Sequence, residues 1–192
     1  RSVSNNIRRS VKYLLSGSIG VMVAIFVTSA VTGILPLLPI QILWVNIICE
    51  TILGSPLAVE SPSEDIMNNP PVKKYAPIID RTLGKQVLKR GAGIGLSTFA
   101  AFEIPQLLGM GLARSRTIAF ANLVFTQIVN CYDCRSNKSI KPSKYMFAAL
   151  IGSAALFTGI VYIPFMGSLL GTVPLGVLDW ALVSSLTVVS RI

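Results

Sequence analysis

The sequence predicts an all-α membrane protein: a polytopic bundle of six transmembrane helices in three hairpins, with both termini cytoplasmic. Only 13% of the 192 residues are charged and 52% are hydrophobic, whereas soluble domains carry about 25% charged residues. The apolar runs reach the length of about 20 residues that a helix needs to cross a bilayer. The basic residues are also distributed unevenly between the polar segments, which is typical of membrane proteins.

The first predicted span, residues 11–34, follows a basic N-terminal stretch and ends at a turn containing Gly33 and Pro36. The second span, residues 39–59, begins at Pro39, which is tolerated because the first N–H groups of a helix have no helical acceptor. Residues 60–86 hold four prolines and several charges. This stretch is therefore predicted to be a loop.

The third and fourth spans, residues 87–110 and 115–132, are joined by a short loop. Within the third span, the glycines at 91, 93 and 95 predict close helix packing. They do not form a phosphate-binding loop, because no strand precedes them. A basic loop at 135–144 leads to the fifth and sixth spans, residues 145–166 and 175–189, which complete one domain covering residues 1–192.

The basic residues predict the orientation of this bundle. Of the 17 lysines and arginines, only Arg114 and Arg116 fall on the side opposite to the others. The positive-inside rule places the basic side, with both termini, in the cytoplasm. The net charge of +9 then belongs to membrane flanks, so the expected partner is the lipid bilayer and not nucleic acid.

No catalytic residue is predicted, because the chain has no histidine and no G-x-x-x-x-G-K-[ST] loop. Cys131 and Cys134 form a lone C-x-x-C pair, which is weak evidence for a metal site, so reduced thiols are expected. Trp44 could pack between helices or anchor the bundle at the interface. The start at Arg1 suggests a fragment, a domain or a processed product.

Glu50 is the strongest candidate for a functional residue, because an ionisable side chain within a span costs about 2.5–3.5 kcal/mol on insertion scales. Asn46 lies four residues earlier and therefore shares a helix face with it. Carboxylate and amide oxygens are the ligands that hard cations prefer. Pro56 lacks an N–H, which predicts a free carbonyl near Ile52 and an interrupted helix. Ser18 and Gln127 are weaker candidates, since interhelical hydrogen bonds explain them equally well.

Several segments of the sequence, in order, resemble the last six membrane helices of type II P-type ATPases, the family that includes the calcium pumps. The matching segments are NNIRR at 5–9 and YLLS at 13–16 (fifth helix), LPIQILWVN at 38–46 (sixth helix), SEDIM at 63–67 with the prolines at 70–71 (the following loop), SRTIAF at 115–120 and CRS at 134–136 (eighth helix and its exit), and GTVPL at 171–175 (entry to the tenth helix).

The resemblance implies helices five to ten of a ten-helix pump that exports a cation, calcium or a similar divalent ion, at the expense of ATP. It also implies the partners: the first four helices and the cytoplasmic domains, which bind ATP and magnesium. The phosphorylated D-K-T-G motif of the family is absent from this sequence, so the chain alone is not expected to hydrolyse ATP. The bound species expected within the chain is the transported cation, with no other cofactor.

Residue by residue, Asn46 and Glu50 match the asparagine and the neighbouring acid that bind the ion on the sixth helix of the family. Cys49 stands where the two-calcium pumps have a threonine ligand, Ser18 where they have asparagine, and Gln127 where the sarcoplasmic reticulum type has glutamate. The resemblance thus implies a one-ion pump and leaves calcium, manganese and monovalent ions open.

Two alternatives belong to other classes. The chain could be a stand-alone six-helix protein that acts as a partner or regulatory subunit of another protein. It could also be an independent ion carrier, although no internal repeat of the kind common in carriers is visible. The short loops fit a multi-pass protein of a bacterial plasma membrane.

Overall fold

The computed structural model describes residues 2–58, 80–135 and 143–191. In these ranges the chain forms helices and no strand, which confirms the all-α class. The helices are α1 Ser2–Thr32, α2 Pro39–Ala58, α3 Arg81–Leu107, α4 Leu112–Asp133, α5 Lys144–Tyr162, α6 Pro164–Leu170 and α7 Val177–Val189.

Within the described ranges, three stretches are both long and apolar enough to cross a membrane: Asn6–Thr32 within α1, Pro39–Ala58 and Lys144–Tyr162. Helix α7 is apolar but has only 13 residues. Helices α3 and α4 have 27 and 22 residues, and they carry more polar and charged side chains along their length. The apolar helices identify an integral membrane protein.

The largest differences between the helix boundaries and the predicted spans occur at α1, at α3 and in the fifth span. Helix α1 begins at Ser2, nine residues before its predicted span. Helix α3 begins at Arg81, inside the stretch predicted to be a loop, because Asp80 caps it: its Oδ1 accepts the Leu83 N–H at 2.7 Å. That hydrogen bond, with the nearby Arg8 guanidinium, lowers the pKa of Asp80. The predicted fifth span is divided at Ile163, where Pro164 starts α6 as its first residue. The rest of the long loop, 59–79, and residues 136–142 of the basic loop lie outside the described residues.

Helix α2 stays helical through Pro56, so the predicted interruption is absent, but its winding changes. Residues Val45–Leu53 form a π-helix of nine residues, a wider form that occurs frequently at functional sites. At its end the Gly54 N–H donates to the carbonyl oxygens of Glu50 and Thr51. The narrower winding is thus restored before Pro56.

Helices α1 and α3 pack closely along small residues, as the glycine run predicts. A Cβ atom added to Gly20, Gly91 or Gly95 would lie only 2.5–2.6 Å from a side chain of the other helix, namely that of Ile94, Ile19 or Val23. Only glycine at these positions lets the two backbones approach so closely.

An aromatic cluster fills the space between α2, α4, α5 and α7. Trp44 packs edge-on against Phe120 with ring centroids 5.6 Å apart, and Phe157 lies 5.1 Å from Phe120. Trp180 joins the cluster 5.4 Å from Phe125. Trp44 therefore packs between helices, one of the two roles that the sequence left open.

Polar contacts at the two ends of the bundle show that α1 and α3 begin at one end and that α4 and α7 begin at the other. At one end, Arg8 at the start of α1 pairs with Asp80 at the start of α3 at 2.8 Å. At the other end, Arg114 near the start of α4 pairs with Asp179 near the start of α7 at 2.8 Å. The end that contains Arg8 and Asp80 is called the inner end below, and the other the outer end.

Candidate cation site

Glu50 lies in the π-helical part of α2 and contacts α1. The Ser18 hydroxyl donates to Glu50 Oε1 at 3.1 Å, so two of the predicted ligand residues, on separate helices, are adjacent. Glu50 is partly buried. The contact places a carboxylate and a hydroxyl oxygen together inside the bundle, and both are suitable ligands for a hard cation.

Asn46 is exposed on the surface of α2, close to Leu43 and Ile47, which are 57% and 54% exposed. Its amide makes no hydrogen bond to Glu50, although the two residues are four apart on one helix. An amide on an apolar face is unfavourable in a hydrocarbon environment unless another group binds it. This face of the helix is therefore incomplete within the described part of the chain.

Gln127 is buried on α4 against α1. Its side chain lies where Gly17 leaves room: a Cβ on Gly17 would be 2.6 Å from the Gln127 amide nitrogen. Both polar atoms of this amide lack a partner among the described residues, which is unusual for a buried group. Because Gly17 precedes Ser18, the Gln127 amide lies against the same turn of α1 that contacts Glu50.

The Cys49 side chain lies in a different environment from that of Glu50. It is fully buried, within the hydrophobic core, and its thiol is free. In the part of the chain that the structure describes, no group of three or more histidine, cysteine, aspartate or glutamate side chains could hold a metal ion. A cation at Glu50 would therefore need neutral oxygens or ligands from elsewhere.

Neighbouring helices support the π-helical part of α2 through hydrogen bonds that the sequence analysis missed. The Tyr13 hydroxyl of α1 donates to the Cys49 carbonyl at 3.0 Å, and the Cys131 thiol of α4 donates to the Leu53 carbonyl at 3.2 Å. Side-chain donors of this kind accompany changes in helical winding. The only sequence signal was a tyrosine and a cysteine within apolar runs.

The inner end of the bundle also holds a charge cluster that was not predicted from the sequence. Asp133, at the end of α4, accepts hydrogen bonds from Arg90 of α3 and from Arg191 after α7, the latter at 2.6 Å. The hydrogen bonds that Arg191 donates to Asp133 raise the pKa of Arg191. This cluster joins three helices at one end.

Comparison with known proteins shows the family. Residues 34–192 match the family described as "Cation transporting ATPase, C-terminus". The chain is 33% identical to the "Calcium-transporting ATPase" of Bacillus subtilis over 98% of this chain and 22% of that protein. Two Arabidopsis thaliana proteins, "Calcium-transporting ATPase 4, plasma membrane-type" and "Calcium-transporting ATPase 2, plasma membrane-type", are each 29% identical, over 95% and 94% of the chain.

The chain thus spans about a fifth of the length of these relatives, 22%, 18% or 19% of each. The resemblance to the pumps agrees with the helical fold, with the order of the matching segments and with the match over most of the sequence. The chain belongs to the family of C-terminal membrane domains of cation-transporting, calcium-pump-like P-type ATPases.

Proposed function

We propose that the chain is the ion-binding membrane part of a P-type ATPase that transports calcium, with Glu50, Ser18 and Asn46 supplying ligands to the transported cation. The observation that carries the proposal is the 3.1 Å contact between Ser18 and Glu50, which joins two helices at a π-helical segment. The relatives named as calcium-transporting ATPases support calcium as the ion.

The uncovered face of α2 supports further partners. Asn46 is exposed there beside apolar residues, so a complete site requires another element to cover it and to contribute ligands. We propose that this element comes from the remaining membrane helices of the pump, and that ATP and magnesium bind to its cytoplasmic domains. The chain itself then binds the ion without hydrolysing ATP.

The membrane topology is part of the same proposal. Six helical segments with alternating direction (α5 and α6 forming one) would cross the membrane six times and leave both termini on the inner, cytoplasmic side. In the sequence, 15 of the 17 basic residues fall in the segments that this topology assigns to that side, so the positive-inside rule supports this orientation. We propose a plasma membrane, and a bacterial one, as the location.

The test is Glu50→Gln in the complete ATPase that carries this chain. The substitution keeps the shape of the side chain but removes the charge that attracts the cation. We expect calcium-dependent phosphorylation from ATP to be lost, or its half-saturating calcium concentration to rise by at least about tenfold, the effect of about 1.4 kcal/mol. Phosphorylation by inorganic phosphate without calcium reports that the variant is folded.

Glu103→Gln is the matched control, because it makes the same chemical change on α3, away from Ser18. An unchanged calcium dependence in Glu50→Gln would refute the assignment of Glu50. A reading frame around this chain that encodes no phosphorylation motif would instead refute the proposal that it belongs to a pump.

A further inference from the structure

A polar cavity opens at the inner end of the bundle, between α1, α3, α4 and α7. It encloses about 280 Å³, comparable to the liquid volume of about nine water molecules. Among the described residues, four basic side chains and one carboxylate line it. They are Lys12, Lys89, Arg90, Arg191 and Asp133.

The carboxylate is already engaged by two of these cations. Asp133 accepts hydrogen bonds from both Arg90 and Arg191, which leaves a positive charge in excess even within this group. Lys12 donates to the neutral amide oxygen of Gln86 at 2.9 Å. Lys89 is exposed and has no carboxylate partner in the ranges that the structure covers. The lysines therefore add two charges that no described acid balances.

We propose that this cavity, called the inner basic pocket, binds a phosphate group. A phosphate oxygen accepts hydrogen bonds from lysine ammonium groups and from arginine, and a doubly or singly charged anion would offset the excess charge. The cavity is large enough to hold a phosphate with part of its hydration. A structural role alone does not account for the lysines, because the ion pairs around Asp133 already join the helices.

Two sources supply such a group: the headgroup of an anionic phospholipid, or phosphate in solution. In the proposed topology the pocket lies at the cytoplasmic end of the membrane helices, near the lipid headgroups, and basic pockets between such helices bind anionic headgroups. This argument is independent of the cation site, since none of the lining residues contacts Glu50 or Asn46.

The test is direct binding to the complete ATPase that carries this chain, purified in neutral detergent. Native mass spectrometry measures retention of phosphatidylglycerol against phosphatidylcholine, and a separate titration measures binding of inorganic phosphate. We expect the wild-type ATPase to prefer phosphatidylglycerol, and Lys12→Gln with Lys89→Gln to weaken its binding by about tenfold or more, because the two lysines supply the positive charge that no described acid balances. Added salt should reduce binding in the same way.

The matched control is Lys85→Gln with Lys144→Gln, which removes two exposed lysines near the same end that do not line the pocket. We expect less than a twofold effect. If only inorganic phosphate binds, and only the pocket variant weakens its binding, the proposed phosphate site is supported and the phosphate comes from solution. If both double variants weaken binding equally, or neither does, the proposal is wrong. The single variant Lys89→Gln tests the same pocket with less risk of unfolding, because Lys89 is exposed. Circular dichroism measures the helicity of each variant and so reports whether it is folded.

Discussion

At the scale of single residues, Asp179 has the most buried acidic side chain in the described part of the chain, with 2% of its surface exposed. Its Oδ2 accepts from Arg114 Nη2 and from the Gly176 N–H, both at 2.8 Å. The same oxygen thus caps α7 and binds α4. A single carboxylate fixes the start of the last helix against its neighbour.

We predict that Asp179→Asn destabilises the bundle. The amide keeps the shape and can still cap the helix, but it loses the charge that binds Arg114. Breaking a buried ion pair costs about 3–5 kcal/mol, and because the Arg114 side chain is 38% exposed, water offsets part of this. We expect a loss of about 1–3 kcal/mol, measured as unfolding by circular dichroism in mixed detergent micelles.

Asp80→Asn is the comparison, because Asp80 also caps a helix but is exposed, and asparagine caps about as well as aspartate. Its unfolding curve should overlay that of the unaltered chain. Asp80 also pairs with Arg8, but at an exposed position. Equal destabilisation by the two substitutions would therefore show that burial of the ion pair with Arg114 does not make Asp179 important.

At the scale of helices, the contact of α1 with α3 depends on missing side chains. A Cβ on Gly95 would lie 2.5 Å from Val23 and 3.0 Å from the carbonyl oxygen of Gly20. The backbone oxygen cannot move aside as the end of a flexible side chain can. The helix pair must therefore separate to accept any larger residue.

Gly95→Ala should accordingly destabilise the protein by about 1–3 kcal/mol, the usual cost of overpacking. Gly84→Ala is the control on the same helix, because a Cβ there meets nothing within 4 Å. Alanine is the better helix former by about 1 kcal/mol, so this control should be neutral or stabilising. Unfolding midpoints in the same detergent compare the two variants. A harmless Gly95→Ala would contradict the close packing of α1 and α3.

Most helices could be predicted from hydropathy and charge, because each apolar run has a clear length and flanks. The winding of α2 could not, because Val45–Leu53 reads as an ordinary apolar segment and the wider form depends on donors such as Tyr13 on another helix. The division of the fifth segment at Ile163 was signalled by Pro164 alone. A single proline also follows Ser55, where the helix continues, so the residue type does not decide the outcome.

The candidate site was predictable to a similar extent. Glu50 stood out because a lone acid in an apolar helix is costly. Its contact with Ser18 could not be derived from spacing, since 32 residues separate them and only tertiary packing brings them together. Asp133 with Arg90 and Arg191 was missed for the same reason: three charges on three helices meet at one end.

At the scale of the whole molecule, the alternating helices predict which positions water-soluble reagents reach from each side of a membrane. The native cysteines Cys49, Cys131 and Cys134 are all buried, so engineered cysteines report with little background. Lys85, at the inner end of α3, and Leu108, after its outer end, are both exposed. They test whether α3 crosses the membrane.

We expect Leu108→Cys to react with a membrane-impermeant maleimide in intact cells that express the chain, and Lys85→Cys to react only after permeabilisation. The reason is the excess of basic residues at the inner end, for which the positive-inside rule predicts a cytoplasmic location. Labelling of both positions from the same side would exclude a crossing by α3, and with it the six-span topology.

The glycines between α1 and α3 also have a mechanical consequence. Because Ile19 and Val23 of α1 and Ile94 of α3 each fit against a glycine of the other helix, neither helix can slide along its partner without lifting away from it. Packed elements of this kind shift between discrete arrangements and do not deform continuously. A force applied at the inner end of α1 would therefore be transmitted to α3, and the two helices would tilt together as a rigid body.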